Sequence, residues 1–206
     1  MHYAPANGAQ ILSRNDQGLP LMSIALLGQK SEQGFAVGVN SGINSVKDWE
    51  GKTFGYKGTV PSEFLAIARA NNLDPAKVKQ VSVGFDPRVL SEGRVDILPV
   101  FFSNEPDTLD KIGYKTKLFD PDDYGVNALG LNYISTKDYV PEDPEAVERF
   151  LRAALRGIDY ANSHRDEALD IVMKYASQEE KEHQRYMLNT ELDRAQTDLT
   201  KKNGIG

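Results

Sequence analysis

Residues 51–63, GKTFGYKGTVPSE, decide the expected fold of this chain. A β-type run over 52–56 leads into a turn that carries glycine and proline, and an amphipathic helix over 62–72 follows. Such a turn presents backbone N–H groups at the carboxyl end of a strand, the place where open α/β sheets bind ligands. The stretch therefore predicts an α/β fold, with either a small-molecule site or a tight turn without a ligand at this point.

The same alternation of strand and helix continues beyond this stretch. We predict strands over 79–85, 95–102 and 115–119, and helices over 86–93 and 106–112. Strands that alternate with helices are typical of a parallel α/β layer. Residues 45–127 are therefore expected to form one complete α/β lobe.

The flanking segments have a different pattern. Strands are expected over 21–28, 34–40 and 128–134, and the first helix has no strand before it. After Asp143-Pro144 the chain is predicted to be helical, with the last long helix starting at Ser177. We therefore expect residues 1–44 and 128–206 to form a second, incomplete lobe that the first lobe interrupts.

Composition narrows the classes of function. The chain has 206 residues, 40% hydrophobic and 26% charged, which suits one globular domain or two small ones. Its net charge of −6 argues against nucleic acid, which binds basic surfaces. Residues 1–8, MHYAPANG, do not resemble a signal peptide, and no run is long enough to span a membrane.

Cysteine is absent, which excludes disulfides, a thiol nucleophile and thiolate metal sites. The three histidines, His2, His164 and His183, share no ligand spacing. We therefore expect no metal site, and no motif predicts a cofactor.

Four segments together resemble the NMT1/THI5-like substrate-binding proteins, a branch of the bacterial periplasmic binding proteins of ABC transporters. They are residues 51–63, 81–106 (VSVGFDPRVLSEGRVDILPVFFSNEP), 119–126 (FDPDDYGV) and 145–161 (EAVERFLRAALRGIDYA). The most specific pieces are Val83–Asp86, Asn104–Pro106 and Asp123–Val126. The resemblance covers nearly the whole chain.

The resemblance implies a fold like the type II periplasmic binding proteins. In that family two α/β lobes with parallel-rich sheets are joined by a hinge and close on a small ligand in the cleft between them. Full-length members carry an export signal and further segments at both ends, so one lobe is expected to be incomplete here. It also implies an ABC permease as partner, and a periplasmic or cell-envelope location for the full-length relative.

The resemblance also implies a ligand class. Members similar to this chain bind the thiamine pyrimidine precursor, as a hydroxymethyl- or formylamino-pyrimidine, and others take riboflavin, sulfonates or nitrate. The eukaryotic branch synthesises the pyrimidine from its own histidine and has a cysteine-rich motif. Since this chain has no cysteine, we expect a binding protein rather than an enzyme. A riboflavin or other flat-heterocycle binder, a pyrimidine synthase and a scaffold that assembles by exchange of elements remain the alternatives.

An aminopyrimidine has a flat face for aromatic side chains and a polar edge for a carboxylate or amide. The residues expected to bind it lie at strand ends and turns: Tyr56, Gly58, Thr59, Pro61, Ser62 and Glu63; Phe102, Asn104 and Glu105; Tyr124 and Asn127; and Tyr3 and Asn7 from the incomplete lobe.

Each of these residues also has a purely structural interpretation. Glu63 and Glu105 suit the first turn of a helix, Tyr56 suits strand packing, and Asn104 suits a turn. Thr59 and Ser62 resemble an anion nest, but as N-caps they need no ligand. Lys57 is expected to be solvated, although it would suit a phosphate. Because the incomplete lobe would expose apolar strand edges, we also expect a homodimer through it.

Overall fold

The computed structural model describes residues 2–176 and 179–203. The chain divides into two compact units: unit 2 comprises residues 33–127, and unit 1 comprises the segments before and after it. Within the described ranges, no helix is both long and apolar enough to cross a membrane.

The helices and strands alternate through the first two thirds of the chain. The strands are β1 Ala4–Asn7, β2 Leu21–Leu26, β3 Gln33–Gly38, β4 Thr53–Lys57, β5 Lys79–Val83, β6 Leu98–Phe101, β7 Thr116–Phe119 and β8 Leu131–Thr136. The helices are α1 Gly8–Asp16, α2 Ser62–Ala70, α3 Arg88–Ser91, α4 Glu105–Lys111, α5 Tyr139–Glu142, α6 Pro144–Ser163, α7 Arg165–Tyr175, α8 Lys181–Ala195 and α9 Asp198–Asn203. Three 3-10 turns span Val46–Trp49, Pro75–Lys77 and Pro121–Tyr124. The α/β class is confirmed.

The sheet of unit 2 is mixed. β4 pairs with β5 in parallel, and a parallel bridge between Phe54 and Ile97 joins β4 to the segment that leads into β6. β3 lies between β6 and β7 and runs antiparallel to both. The strand order is therefore β5-β4-β6-β3-β7. Parallel pairing is limited to β5, β4 and β6.

β3 corrects the expected boundary between the units. The strand over 34–40 was expected in the first segment, with the boundary after residue 44, but the structure places the boundary after Glu32. The reason is pairing: Phe35 lies opposite both Pro99 and Phe119, so β3 completes the sheet of unit 2.

An aromatic core supports this sheet. Trp49, Phe54 and Phe64 are fully buried, and the ring of Phe64 stacks on that of Phe54 with centroids 4.2 Å apart. A capping box between Ser45 and Asp48 starts the turn that carries Trp49 into the core.

Unit 1 has a three-stranded antiparallel sheet in the order β1-β8-β2. Two details differ from expectation: β1 precedes the first helix, and β8 is the central strand, so its two edges are covered. The α6 helix begins as expected, with the Asp143 carboxylate accepting a hydrogen bond from the backbone N–H of Ala146 at 3.0 Å. The expected helix start at Ser177 lies outside the described residues.

Candidate functional site

The carboxyl ends of three neighbouring strands meet at one edge of the unit 2 sheet. β4 ends at Lys57, which lies opposite Val83 at the end of β5. β6 runs parallel to β4, as the Phe54–Ile97 bridge shows, and ends at Phe101. The turns that follow β4, β5 and β6 are therefore neighbours, in the place where α/β sheets bind ligands.

The turn after β4 has the shape that its sequence predicts. Gly58 has a φ of +73°, a left-handed conformation that favours glycine. The N–H of Thr59 donates to the carbonyl of Lys57 at 2.9 Å. Pro61 precedes the first turn of α2, where the Ser62 hydroxyl donates to the Glu63 carboxylate at 3.2 Å. Thr59 and Ser62 are exposed.

A buried ion pair joins β4 to the start of α4. Lys57 Nζ contacts Glu105 Oε1, and the two side chains are only 14% and 6% exposed. Glu105 Oε2 accepts a hydrogen bond from the backbone N–H of Phe101 at 2.8 Å, so both carboxylate oxygens are engaged. A buried charge must be paired, and the structure meets this condition for both residues.

This pair changes the interpretation of two residues. Lys57 was expected to be solvated, but it is largely buried. Glu105 is the first residue of α4, as the helix-dipole interpretation supposes, and it also neutralises Lys57. The sequence signal that could have predicted this pair is a lysine at the last position of β4 together with a glutamate shortly after the end of β6, which runs parallel to β4.

Two further expected site residues flank this pair. Tyr56, the residue before Lys57, is half-buried and packs against the aromatic core. Asn104, the residue before Glu105, is half-buried, and its backbone N–H donates to the carbonyl of Phe101 at 3.0 Å. Both therefore lie next to the ion pair in the chain.

The structure gives Phe102 a packing role. It is buried, and its ring lies so close to β3 that a Cβ added to Gly34 would be 2.2 Å from Phe102 Cζ. The ring therefore fills the space that the missing side chain of Gly34 leaves.

Tyr124 and Asn127 lie at the end of unit 2. The ring of Tyr124 stacks on Phe119 with centroids 5.4 Å apart. The carbonyl of Tyr124 accepts a hydrogen bond at 3.1 Å from the side chain of Asn71, which lies just beyond the C-terminal end of α2. The turn after β4 leads into the N-terminal end of the same helix, so Tyr124 and this turn lie at opposite ends of α2. Burial, and then the charge of Asp123, raise the pKa of Tyr124. Asn127 is exposed.

The two expected residues of unit 1 have structural partners. The ring of Tyr3 stacks on Phe150 with centroids 4.1 Å apart. Interaction with the side chain of Tyr139 raises the pKa of Tyr3 to about 12. Asn7 caps α1, because its side-chain oxygen accepts a hydrogen bond from the N–H of Gln10 at 2.8 Å. These contacts give Tyr3 and Asn7 structural roles in unit 1.

Phe85 is the residue that the sequence interpretation missed. It follows β5, two residues after Val83, and its side chain is 81% exposed. The next residue, Asp86, accepts hydrogen bonds from the guanidinium and the backbone N–H of Arg88, which lower the pKa of Asp86 to about 2. The signal was present in Val83-Gly84-Phe85-Asp86, one of the most specific motifs of the family resemblance.

The edge thus combines an exposed aromatic ring, a lysine ammonium and a turn with exposed hydroxyl groups. These groups can hold a flat, polar molecule, but they do not form a nucleophile–base pair of the kind that covalent catalysis uses. In the part of the chain that the structure describes, no group of three or more histidine, aspartate or glutamate side chains is arranged to hold a metal ion.

Comparison with known proteins places these observations in a family. The model of the family described as "NMT1/THI5 like" matches residues 1–168. A riboflavin-binding protein from Chloroflexus aurantiacus is 29% identical over 212 residues, which cover 99% of this chain and 60% of that protein. A formylaminopyrimidine-binding protein from Halalkalibacterium halodurans is 30% identical over 168 residues, 79% of this chain and 51% of that protein.

The fold is also similar to solved structures. The periplasmic aliphatic sulphonate binding protein SsuA from Escherichia coli matches 98% of this chain and 71% of its own chain, with a TM-score of 0.75 and 13% identity. At that identity the likeness concerns the fold alone. This chain spans between half and two thirds of the length of the two curated relatives above.

Proposed function

The chain belongs to the NMT1/THI5-like family, and from that premise we propose that it binds a thiamine pyrimidine precursor, a hydroxymethyl- or formylamino-pyrimidine, for delivery to an ABC permease. The observation that carries this proposal is the buried Lys57–Glu105 pair, which lies at the carboxyl edge of the unit 2 sheet beside the turn after β4. The name of the Halalkalibacterium relative favours the pyrimidine.

The candidate site consists of the turn after β4 and the pair itself. The ammonium of Lys57 contacts Glu105 with one of its three protons, which leaves two for acceptor atoms of a ligand. Tyr56, Gly58, Thr59, Pro61, Ser62, Glu63 and Asn104 remain proposed ligand-binding residues, because they lie on either side of Lys57 or Glu105 in the chain.

Riboflavin is the second candidate ligand. The Chloroflexus relative, named as a riboflavin-binding protein, matches 99% of this chain. An isoalloxazine ring is flat and carries an acceptor edge, so the turn after β4 and the Lys57–Glu105 pair would recognise it as well.

Isothermal titration calorimetry on the full chain tests the two ligands directly. We expect hydroxymethylpyrimidine or riboflavin to bind, and Lys57→Met to weaken that binding at least tenfold. Lys77→Met is the matched control, since Lys77 is a solvated lysine of the same unit, 55% exposed. No binding of either compound, or equal effects of the two lysine substitutions, would refute the assignment.

Catalysis is a further alternative, and we propose that the chain performs none. Incubation with iron, pyridoxal phosphate and oxygen should then give no pyrimidine product by mass spectrometry. Product above the level of a heat-denatured control would support the pyrimidine-synthase alternative instead.

A further inference from the structure

Resting on that proposed function, we propose that unit 2 selects uncharged flat heterocycles. Phe85 stacks on the face of the ring, and Lys57 donates hydrogen bonds to its acceptor edge. Glu105 balances the charge of Lys57, so that the site discriminates against anionic ligands.

Phe85 and Lys57 lie at the same sheet edge. Lys57 and Val83 are directly opposite each other at the ends of β4 and β5, and Phe85 follows two residues later. Neighbouring strands are about 4.8 Å apart, so the backbones of Phe85 and Lys57 are within about 10 Å. Because both side chains extend beyond their backbones, a flat ligand of one or two rings can contact both of them.

The exposure of Phe85 is unusual within its own turn. Its side chain is 81% exposed, although Val83, the last residue of β5, packs against a buried cluster. Asp86 fixes the backbone after Phe85, because its carboxylate accepts from the N–H of Arg88 at 3.0 Å. A largely exposed ring beside a turn that Asp86 stabilises is suited to stacking on a planar ligand.

The cations at this edge are already paired. Lys57 contacts the buried carboxylate of Glu105, and Arg88 forms an ion pair with Asp86. An uncompensated cation would form strong charge-assisted hydrogen bonds with a sulfonate or phosphate and so help to repay the loss of its hydration. Lys57 can therefore donate hydrogen bonds but offers no net charge, which favours a neutral ligand over its anionic counterpart.

The test measures a ratio of affinities. We would titrate the full chain with hydroxymethylpyrimidine and with its phosphate ester, and in parallel with riboflavin and riboflavin 5′-phosphate. The wild type should bind the uncharged member of at least one pair more tightly than the anionic one. Glu105→Gln keeps the side-chain shape and leaves Lys57 uncompensated, so it should shift that ratio at least tenfold toward the phosphate ester.

Phe85→Leu tests the stacking role separately. It should weaken both members of a pair by roughly three- to tenfold and leave their ratio unchanged, because it removes a ring but no charge. Tyr175→Leu is the control, since Tyr175 is 89% exposed on α7 of unit 1 and should have no effect. Because Phe85 is exposed, its substitution is informative even if Glu105→Gln fails to fold.

The outcomes separate this inference from the proposed function. If the wild type binds a neutral probe but both substitutions leave affinities and ratio unchanged, or if the anionic probe binds more tightly, the inference is wrong and the binding function stands. If the wild type binds none of the four probes, both are wrong.

Discussion

Glu105→Ala should destabilise unit 2 strongly, because it removes one partner of a buried ion pair. The substitution leaves the ammonium of Lys57, only 14% exposed, without a counter-charge. It also removes the acceptor of the Phe101 N–H, a hydrogen bond of 2.8 Å. Loss of one partner of a buried pair costs about 3–5 kcal/mol of unfolding free energy, of which an unsatisfied N–H accounts for about 1–3 kcal/mol.

Removing both charges should cost less than removing one. In Lys57→Met/Glu105→Leu neither charge of the pair remains, so part of the loss should be recovered, and the remaining deficit should be the roughly 1–3 kcal/mol of the unsatisfied Phe101 N–H. The solvated pair Lys77–Glu50, with both side chains 55% exposed, provides the control. Glu50→Ala should change stability by less than about 1 kcal/mol.

Urea unfolding followed by tryptophan fluorescence measures these differences. Trp49 is the single tryptophan of the chain and is fully buried in the core of unit 2, so its emission reports the unfolding of that unit. A Glu105→Ala variant that is no more destabilised than Glu50→Ala, or a double variant as unstable as Glu105→Ala, would contradict a stabilising role for Glu105 as the counter-charge of Lys57.

Three further predictions concern packing, pH and assembly. Gly34→Ala should destabilise unit 2 by about 1–3 kcal/mol, since its Cβ would lie 2.2 Å from Phe102 Cζ. Gly84→Ala in the same unit, where an added Cβ would have nothing within 4 Å, should change the stability little in the same urea assay. The pKa of Tyr3 is raised from 10.0 to about 12, first by the Tyr139 side chain and then by burial, so stability is lost as the pH rises from 10 toward 12. Thermal melts of Tyr3→Phe should show a smaller loss over that range than the wild type. Sedimentation velocity at micromolar concentration should show a homodimer through unit 1, whereas a stable monomer would contradict the expected association of its strand edges.

The sequence by itself determined the local elements, because their signals lie within a few residues of each other. The Ser45–Asp48 capping box and the Asp143 cap of α6 both occur where the pattern predicts them. The turn after β4 also forms where the sequence predicts it, because glycine readily adopts the φ of +73° that Gly58 has. The family could also be inferred from such local motifs.

Only the tertiary structure decided which strands pair and which side chains meet. β3 could have joined either unit by its sequence, and it joins unit 2 because it fits between β6 and β7 with Gly34 beneath the ring of Phe102. Lys57 and Glu105 are 48 residues apart, so their pairing depends on the parallel course of β4 and β6.

The same reason explains the aromatic residues. Phe85, Phe102 and Tyr124 all follow strands, and their hydrophobicity alone does not say whether a ring packs inward or faces solvent. The packing buries Phe102, stacks Tyr124 on Phe119 and leaves Phe85 exposed. A site composed of side chains from separate strand ends becomes visible only when the sheet brings those ends together.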